Sequence, residues 1–231
     1  MRWAGLKDPM IALHKLDWRL FLCLVVLGLI GTWVPLFDLD EGAFLEATRE
    51  LIDGGHWAAT SLDGEPRYDK PIFSYWLQAL ALTTFGWMSP TIPIEMIGRL
   101  PSVLAGAFWA LTLGRFSAEV TKQPALGVFV AFALATTLGT LVIARAATAD
   151  ALLNLWFALL FVDIARYIQS PSDTLRLRVF LWFGLGILTK GPVAVLIPAG
   201  AFGLWVLVSN QWALLWGAIR SFHAWALLAA L

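Results

Sequence analysis

Cysteine and charge are what this chain has least of. Its 231 residues include one cysteine, Cys23, which rules out an intrachain disulfide and a cysteine-based zinc cluster. Charged residues make up 14% of the chain, and 16 acids against 16 bases leave a formal net charge of zero. A nucleic-acid surface calls for a basic patch, so that class of partner is excluded. What is present is apolar: 59% of residues are hydrophobic, and several uncharged runs approach the length of about 20 residues that spans a bilayer as helix. The composition is that of an integral membrane protein. Thirteen tryptophans, Trp18 and Trp33 flanking the first run among them, fit the aromatic belts of membrane interfaces.

That first run, 20–37, is too long for a signal peptide and lacks a small-residue cleavage site, so it reads as a membrane span. Residues 1–19 hold Arg2, Lys7, Lys15 and Arg19 against Asp8 and Asp17, a basic excess that predicts a cytoplasmic tail. Residues 38–98 then form an outer loop. Further spans follow over 99–231, with apolar runs near 100–119, 125–143, 151–168, 179–189 and 193–209, and a last one from Phe222 that is still running at Leu231. The apolar stretch 72–88 is about 17 residues long and bounded by prolines. The bases near 120 and 172 place those loops inside only if 72–88 does not cross, so it is expected to lie along or dip into the outer leaflet. The expected fold is an all-α polytopic membrane protein.

Charge collects in one place. Nine acids stand against three bases in residues 38–71. Asp40 and Glu41 open a helical pattern in which Ala43, Phe44, Ala47 and Leu51 share one side while Glu46, Arg49, Glu50 and Asp53 share the other, and Gly54-Gly55 stop it. This reads as an amphipathic helix on the membrane, apolar face down. A carboxylate at its start is either a cap favoured by the helix dipole or a general base or metal ligand held at the lipid surface. Two more motifs share the predicted outer face. Arg145-Ala-Ala-Thr-Ala-Asp150 interrupts two apolar runs: its charges snorkel, or Asp150 faces a polar cavity. Lys190, in Leu188-Thr189-Lys190-Gly191-Pro192, is either a snorkelling lysine at a helical hairpin or a ligand contact. Arg99 reads as an interface anchor and only secondarily as a site residue. His56 alone among carboxylates makes no metal site.

Taken in order, Asp40-Glu41, Glu46 with Arg49-Glu50, His56-Trp57, the Asp63-Gly64-Glu65-Pro66 turn and Asp69-Lys70-Pro71 resemble the first outer loop of the polyprenyl-phosphate-sugar glycosyltransferases. These are the protein O-mannosyltransferases and bacterial aminoarabinose transferases of the GT-C superfamily, and the resemblance covers their amino-terminal half. It implies a GT-C transmembrane helix bundle with the amphipathic juxtamembrane helix in its first outer loop. It also implies an inverting transfer from a polyprenyl-phosphate sugar to a hydroxyl or phosphate of lipid A, protein or glycan, at the outer face of a bacterial inner membrane. Asp40 would be the base and Asp150 would orient the acceptor or share that role. Lys70 and Lys190 would meet the donor phosphate, with Glu41, Glu46 and Arg145 as further substrate-binding or loop-positioning residues. No cofactor is fixed; some relatives use a divalent metal, for which His56 and Asp69 are the candidates. Two positions depart from the pattern: Asp69 stands where many members have Glu, and Ala43-Phe44 where many have Arg-Tyr, a lost cation that leaves the donor sugar open. The rival readings are a polytopic transporter and an inactive fragment.

Overall fold

The computed structural model describes residues 17–36, 39–220 and 225. In chain order the elements are α1 (Asp17–Leu29), α2 (Leu39–Gly54), a hairpin of β1 (Thr60–Leu62) and β2 (Glu65–Arg67), and α3 (Phe73–Phe85) with a 3-10 turn behind it (Gly86–Met88). Then come α4 (Ile94–Thr121), α5 (Pro124–Thr136), α6 (Leu138–Arg145), α7 (Asp150–Gln169), α8 (Asp173–Lys190), α9 (Val193–Ser209) and α10 (Trp212–Ile219). α4 is the axis of the bundle and packs against α1, α3, α5, α6 and α7. Small residues let it do so: a Cβ on Gly106 would meet Ala144 Cβ at 2.5 Å, and one on Gly114 would meet the Gly127 carbonyl at 2.6 Å. Such close backbone approach is how helices associate in lipid, where burial of apolar surface gives little drive.

By length and composition α4 and α7 can cross a membrane, and a third span results if α5 and α6 count as one; α1 and α9 are shorter apolar helices. The expected run 125–143 is not straight. It bends by 67° between α5 and α6, where Thr137 is extended and the hydroxyls of Thr136 and Thr137 donate to the Phe132 and Ala133 carbonyls at 2.7 and 2.8 Å. Hydroxyls that bond back to the helix compete with its ladder and bend it.

The helix within the expected first span 20–37 ends early. α1 ends at Leu29, Gly31 takes a left-handed φ of 84°, and the carbonyls of Thr32, Val34 and Pro35 turn to the Arg99 side chain. α3 has 13 residues, about 20 Å as helix and short of the roughly 30 Å hydrocarbon core. α4 begins at Ile94, ahead of the expected span boundary at 99, and α8 begins at Asp173, where Ser172 caps it by accepting from the Leu175 N–H at 3.3 Å. The run expected from Phe222 lies outside the described residues apart from Trp225, and α10 is an element the sequence pattern did not announce.

α2 has the predicted extent, but its apolar side faces protein. Phe44, Ala47 and Leu51 are at most 1% exposed and cluster with Tyr75 and Ala79 of α3 and with Ala149. The Phe44 and Tyr75 rings stack with centroids 4.9 Å apart. The helical period that suggested a lipid-facing stripe instead makes the α2–α3 contact.

Candidate active site

The site is assembled around a buried ion pair at the start of α2. Glu41, fully buried, accepts from Arg99 Nε at 2.9 Å through one carboxylate oxygen and from Arg99 Nη2 at 2.8 Å through the other. Arg99 is 1% exposed, and its remaining N–H groups go to the carbonyls of Thr32 (2.8 Å), Val34 (2.7 Å) and Pro35 (3.3 Å). A guanidinium fits this role because its planar fork presents five donors in fixed directions. Glu41 also accepts from the Ala147 backbone N–H at 2.6 Å. One carboxylate therefore ties α2, the end of α1, α4 and the 146–149 loop together.

That loop is held from two more sides. Gln78 of α3 donates through Nε2 to the Ala147 carbonyl at 2.9 Å and accepts from Thr48 of α2 at 2.8 Å, while Ser102 of α4 donates to the Thr148 carbonyl at 3.2 Å. These contacts fix the backbone that carries Asp150 relative to the helix that carries Asp40. Sequence reading gave Arg99 a minor role and missed Gln78. The available signal was an arginine within an apolar helix, which must find a counter-charge or a polar cavity.

Asp40 is exposed, one position before the buried Glu41 in the first turn of α2, where the positive end of the helix dipole favours a carboxylate. Asp150 opens α7 in the same electrostatic setting and forms an ion pair with Lys190, the last residue of α8, where a cation is favoured. Thr148 Oγ1 lies 3.4 Å from the other Asp150 oxygen. Beyond Lys190 the chain turns at Gly191, whose φ of 71° suits glycine, and a Cβ there would sit 3.9 Å from Pro71 Cγ. The Lys70-Pro71 and Lys190-Gly191 turns therefore abut.

The loop before Lys70 is rigidly built. Asp63 (φ 55°) and Gly64 (φ 78°) make the hairpin turn with both central residues left-handed, the Asp-Gly signature of a tight hairpin. Glu50 of α2 receives the Ser61 hydroxyl and the Gly64 N–H (3.3 Å), so its carboxyl is held below the ordinary value, chiefly by Ser61. Arg67 grips Asp69 through Nε (2.6 Å) and Nη2 (2.9 Å). That bond to Arg67 holds the Asp69 carboxyl low, and Asp69, ahead of the charges of Tyr75 and Asp40, holds Arg67 above its usual value.

Other expected site residues stand apart. Glu46 is exposed on the far side of α2, along a shallow depression lined by Gly42, Ala43, Leu62 and Asp63. Arg145 turns toward α1 and donates to the Leu27 carbonyl at 3.0 Å, beside a cavity of about 20 Å³ lined by Thr140. His56 is exposed. Both oxygens of Asp69 are taken by Arg67, and among the described residues no group of three His, Cys, Asp or Glu side chains is placed to hold a metal ion. These residues do not fit a divalent metal centre.

A second charged layer sits at the other end of α4. Arg166 pairs with Glu119 (2.5 Å) and Asp163 (3.5 Å), and Asp163 also accepts from Arg178 (2.9 Å) and from the Trp182 indole (2.8 Å). From Arg99 to Glu119 the helix rises about 30 Å, the thickness of a bilayer hydrocarbon core.

Comparison with solved structures finds the same fold in ArnT from Cupriavidus metallidurans. The form bound to undecaprenyl phosphate superposes with a TM-score of 0.80 and 19% identity, over 95% of this chain and 40% of that one. The apo form gives a TM-score of 0.79 over 94% and 40%. Among curated relatives, an undecaprenyl phosphate-alpha-4-amino-4-deoxy-L-arabinose arabinosyl transferase of Shewanella sediminis is 28% identical over 183 residues, 78% of this chain and 32% of the relative. One of the same name from Pseudomonas aeruginosa is 27% identical over 215 residues, 90% of this chain and 36% of the relative. The chain thus spans about a third of the length of these relatives, less than the half expected from sequence. The family model described as dolichyl-phosphate-mannose-protein mannosyltransferase matches residues 69–231, and by that match the chain belongs to this glycosyltransferase family.

Proposed function

We propose that this chain carries the catalytic end of a membrane glycosyltransferase that moves a sugar from a polyprenyl phosphate to an acceptor hydroxyl or phosphate. The observation that carries the reading is the convergence at one end of the bundle of the Asp40 helix, the Asp150–Lys190 ion pair and the Lys70 turn that abuts Gly191. Asp40 takes the proton from the acceptor. The acceptor oxygen attacks the anomeric carbon with inversion, the bond from that carbon to the phosphate oxygen breaks, and the negative charge gathering on the phosphate is met by Lys70 and Lys190. Asp150 holds Lys190 until the donor phosphate arrives and orients the acceptor or shares the proton transfer. Glu41, Glu46 and Arg145 position the surrounding elements. While lipid A, protein or glycan as acceptor follows from the resemblance of the first outer loop alone, the names of the relatives favour undecaprenyl phosphate as the lipid and aminoarabinose as the sugar. They support this reading over the transport alternative.

The site faces the periplasm in a bacterial inner membrane, with the amino terminus in the cytoplasm. The basic tail 1–19 and the separation of the two charged layers by about one hydrocarbon thickness support that placement. The test is transfer from radiolabelled polyprenyl-phosphate sugars by the full reading frame in membranes, wild type beside Asp40→Asn, with a panel of donors. Transfer that Asp40→Asn abolishes is expected. Near-normal turnover in the variant would remove Asp40 from the chemistry, and no transfer with any donor from an inserted wild type would remove the enzyme reading.

A further inference from the structure

The mechanism leaves two cations of the outer loop unused, the exposed Arg49 and the enclosed Arg67. Arg67 ends β2 with its side chain 11% exposed, and it is engaged on three sides. Its fork holds both oxygens of Asp69, the residue before Lys70. Its guanidinium carbon lies 5.8 Å from the centroid of Phe44, one helical turn after Asp40. Its own carbonyl accepts from Thr60 Oγ1 at 3.0 Å across the hairpin. Phe44 is in turn stacked on Tyr75 of α3. One planar group thus joins the helix that carries Asp40 to the segment that carries Lys70. Of the N–H groups left over, those on Nη1 are buried without a partner among the described residues, and with Nε and Nη2 turned to Asp69 the guanidinium acts through its neighbours.

We infer that Arg67 is a positioning residue that fixes Lys70 relative to Asp40 by clamping Asp69 against the Phe44 ring; this rests on the transferase reading above. An exposed ion pair contributes little because solvent screens it and its side chains lose freedom. Here the arginine is almost enclosed, the contact is bidentate and the guanidinium lies within cation–π range of the Phe44 ring. Lysine can supply the charge but not the fork. Positioning matters at this point because a displacement of about 1 Å between reacting groups can lower a rate by about 100-fold.

The test uses R67Q, R67K, D69N and R67Q/D69N in the full reading frame in membranes, with hydrogen exchange over residues 60–72 and transfer resolved into kcat and donor KM. Expected are faster exchange confined to 60–72 in R67Q and D69N, and kcat lower by about 10- to 100-fold with a much smaller change in KM. The double variant should be no worse than either single one, because both remove the same clamp. R67K should stay close to R67Q. D69N leaves Arg67 in place and keeps the test open if R67Q does not fold. Wild-type exchange and kcat in D69N, or a raised KM at unchanged kcat in R67Q, would overturn the inference. If the wild type transfers no sugar, the transferase reading fails, while the exchange measurement still decides whether Arg67 clamps this segment.

Discussion

Adjacent carboxylates in α2 have opposite fates. Asp40 is exposed in the first turn of the helix, whereas Glu41 is sealed against Arg99. Removing one partner of a buried, hydrogen-bonded pair leaves the other charge uncompensated, at about 3–5 kcal/mol. Arg99→Met is therefore expected to lower stability by about that amount, read as a fall in the thermal midpoint in detergent, and Glu41→Met/Arg99→Met should recover part of the loss. Equal midpoints for wild type and Arg99→Met would mean that the pair does not hold the site together. Asp150 and Lys190 stand out in the sequence because ionisable residues between apolar runs require an explanation, whereas Asp40 and Lys70 are singled out by the resemblance of the first outer loop. Gln78 was not legible, because its partners Thr48 and Ala147 lie 30 and 69 residues away. A hydrogen bond across such a separation leaves no local pattern.

Among the elements, the hairpin and the Asp69 clamp respond to acid. The Asp69 and Glu50 carboxyls are both held below their ordinary values, by Arg67 and by Ser61 respectively. A carboxylate with a depressed folded-state pKa adds stability at every pH above the unfolded value, about 4. That contribution is lost as pH falls through the folded value. Amide exchange over 60–67 should therefore stay slow from neutral pH down to about 4 and accelerate below it. A flat exchange profile through that range would contradict the electrostatic role of both carboxylates. The period of α2 and the Asp63-Gly64 turn could be read directly. The sense of the apolar face could not, since Phe44, Ala47 and Leu51 suit lipid and protein equally and only the presence of Tyr75 decides. The break at Thr137 was hidden for a similar reason: the apolar run 125–143 is continuous, and the bend comes from two hydroxyls bonding back to the helix.

Over the whole molecule, two polar layers about 30 Å apart along α4 bracket an apolar bundle. One is built on Arg99 and Glu41, the other on Arg166, Glu119 and Asp163. We propose that α3, 13 residues long, does not cross, so that the first layer, the Lys70 turn and the Lys190 turn fall on one side of the membrane. Single cysteines near Pro90 and near Lys122, with Cys23 replaced, should react with an impermeant reagent from the outside and from the cytoplasm respectively; the reverse at Pro90 would require α3 to cross. The all-α bundle and most helix positions follow from hydropathy alone. The packing of the Lys70 turn against the Lys190 turn does not, because it depends on tertiary contacts between segments about 120 residues apart.

The most direct measurement of the central claim is the affinity of the protein for undecaprenyl phosphate in detergent or nanodiscs, wild type beside Lys70→Ala and Lys190→Ala. If the two abutting turns form one site for a lipid phosphate, each substitution should weaken binding by about tenfold or more, the loss expected for a charged hydrogen bond. Wild-type affinity in both variants would contradict the account.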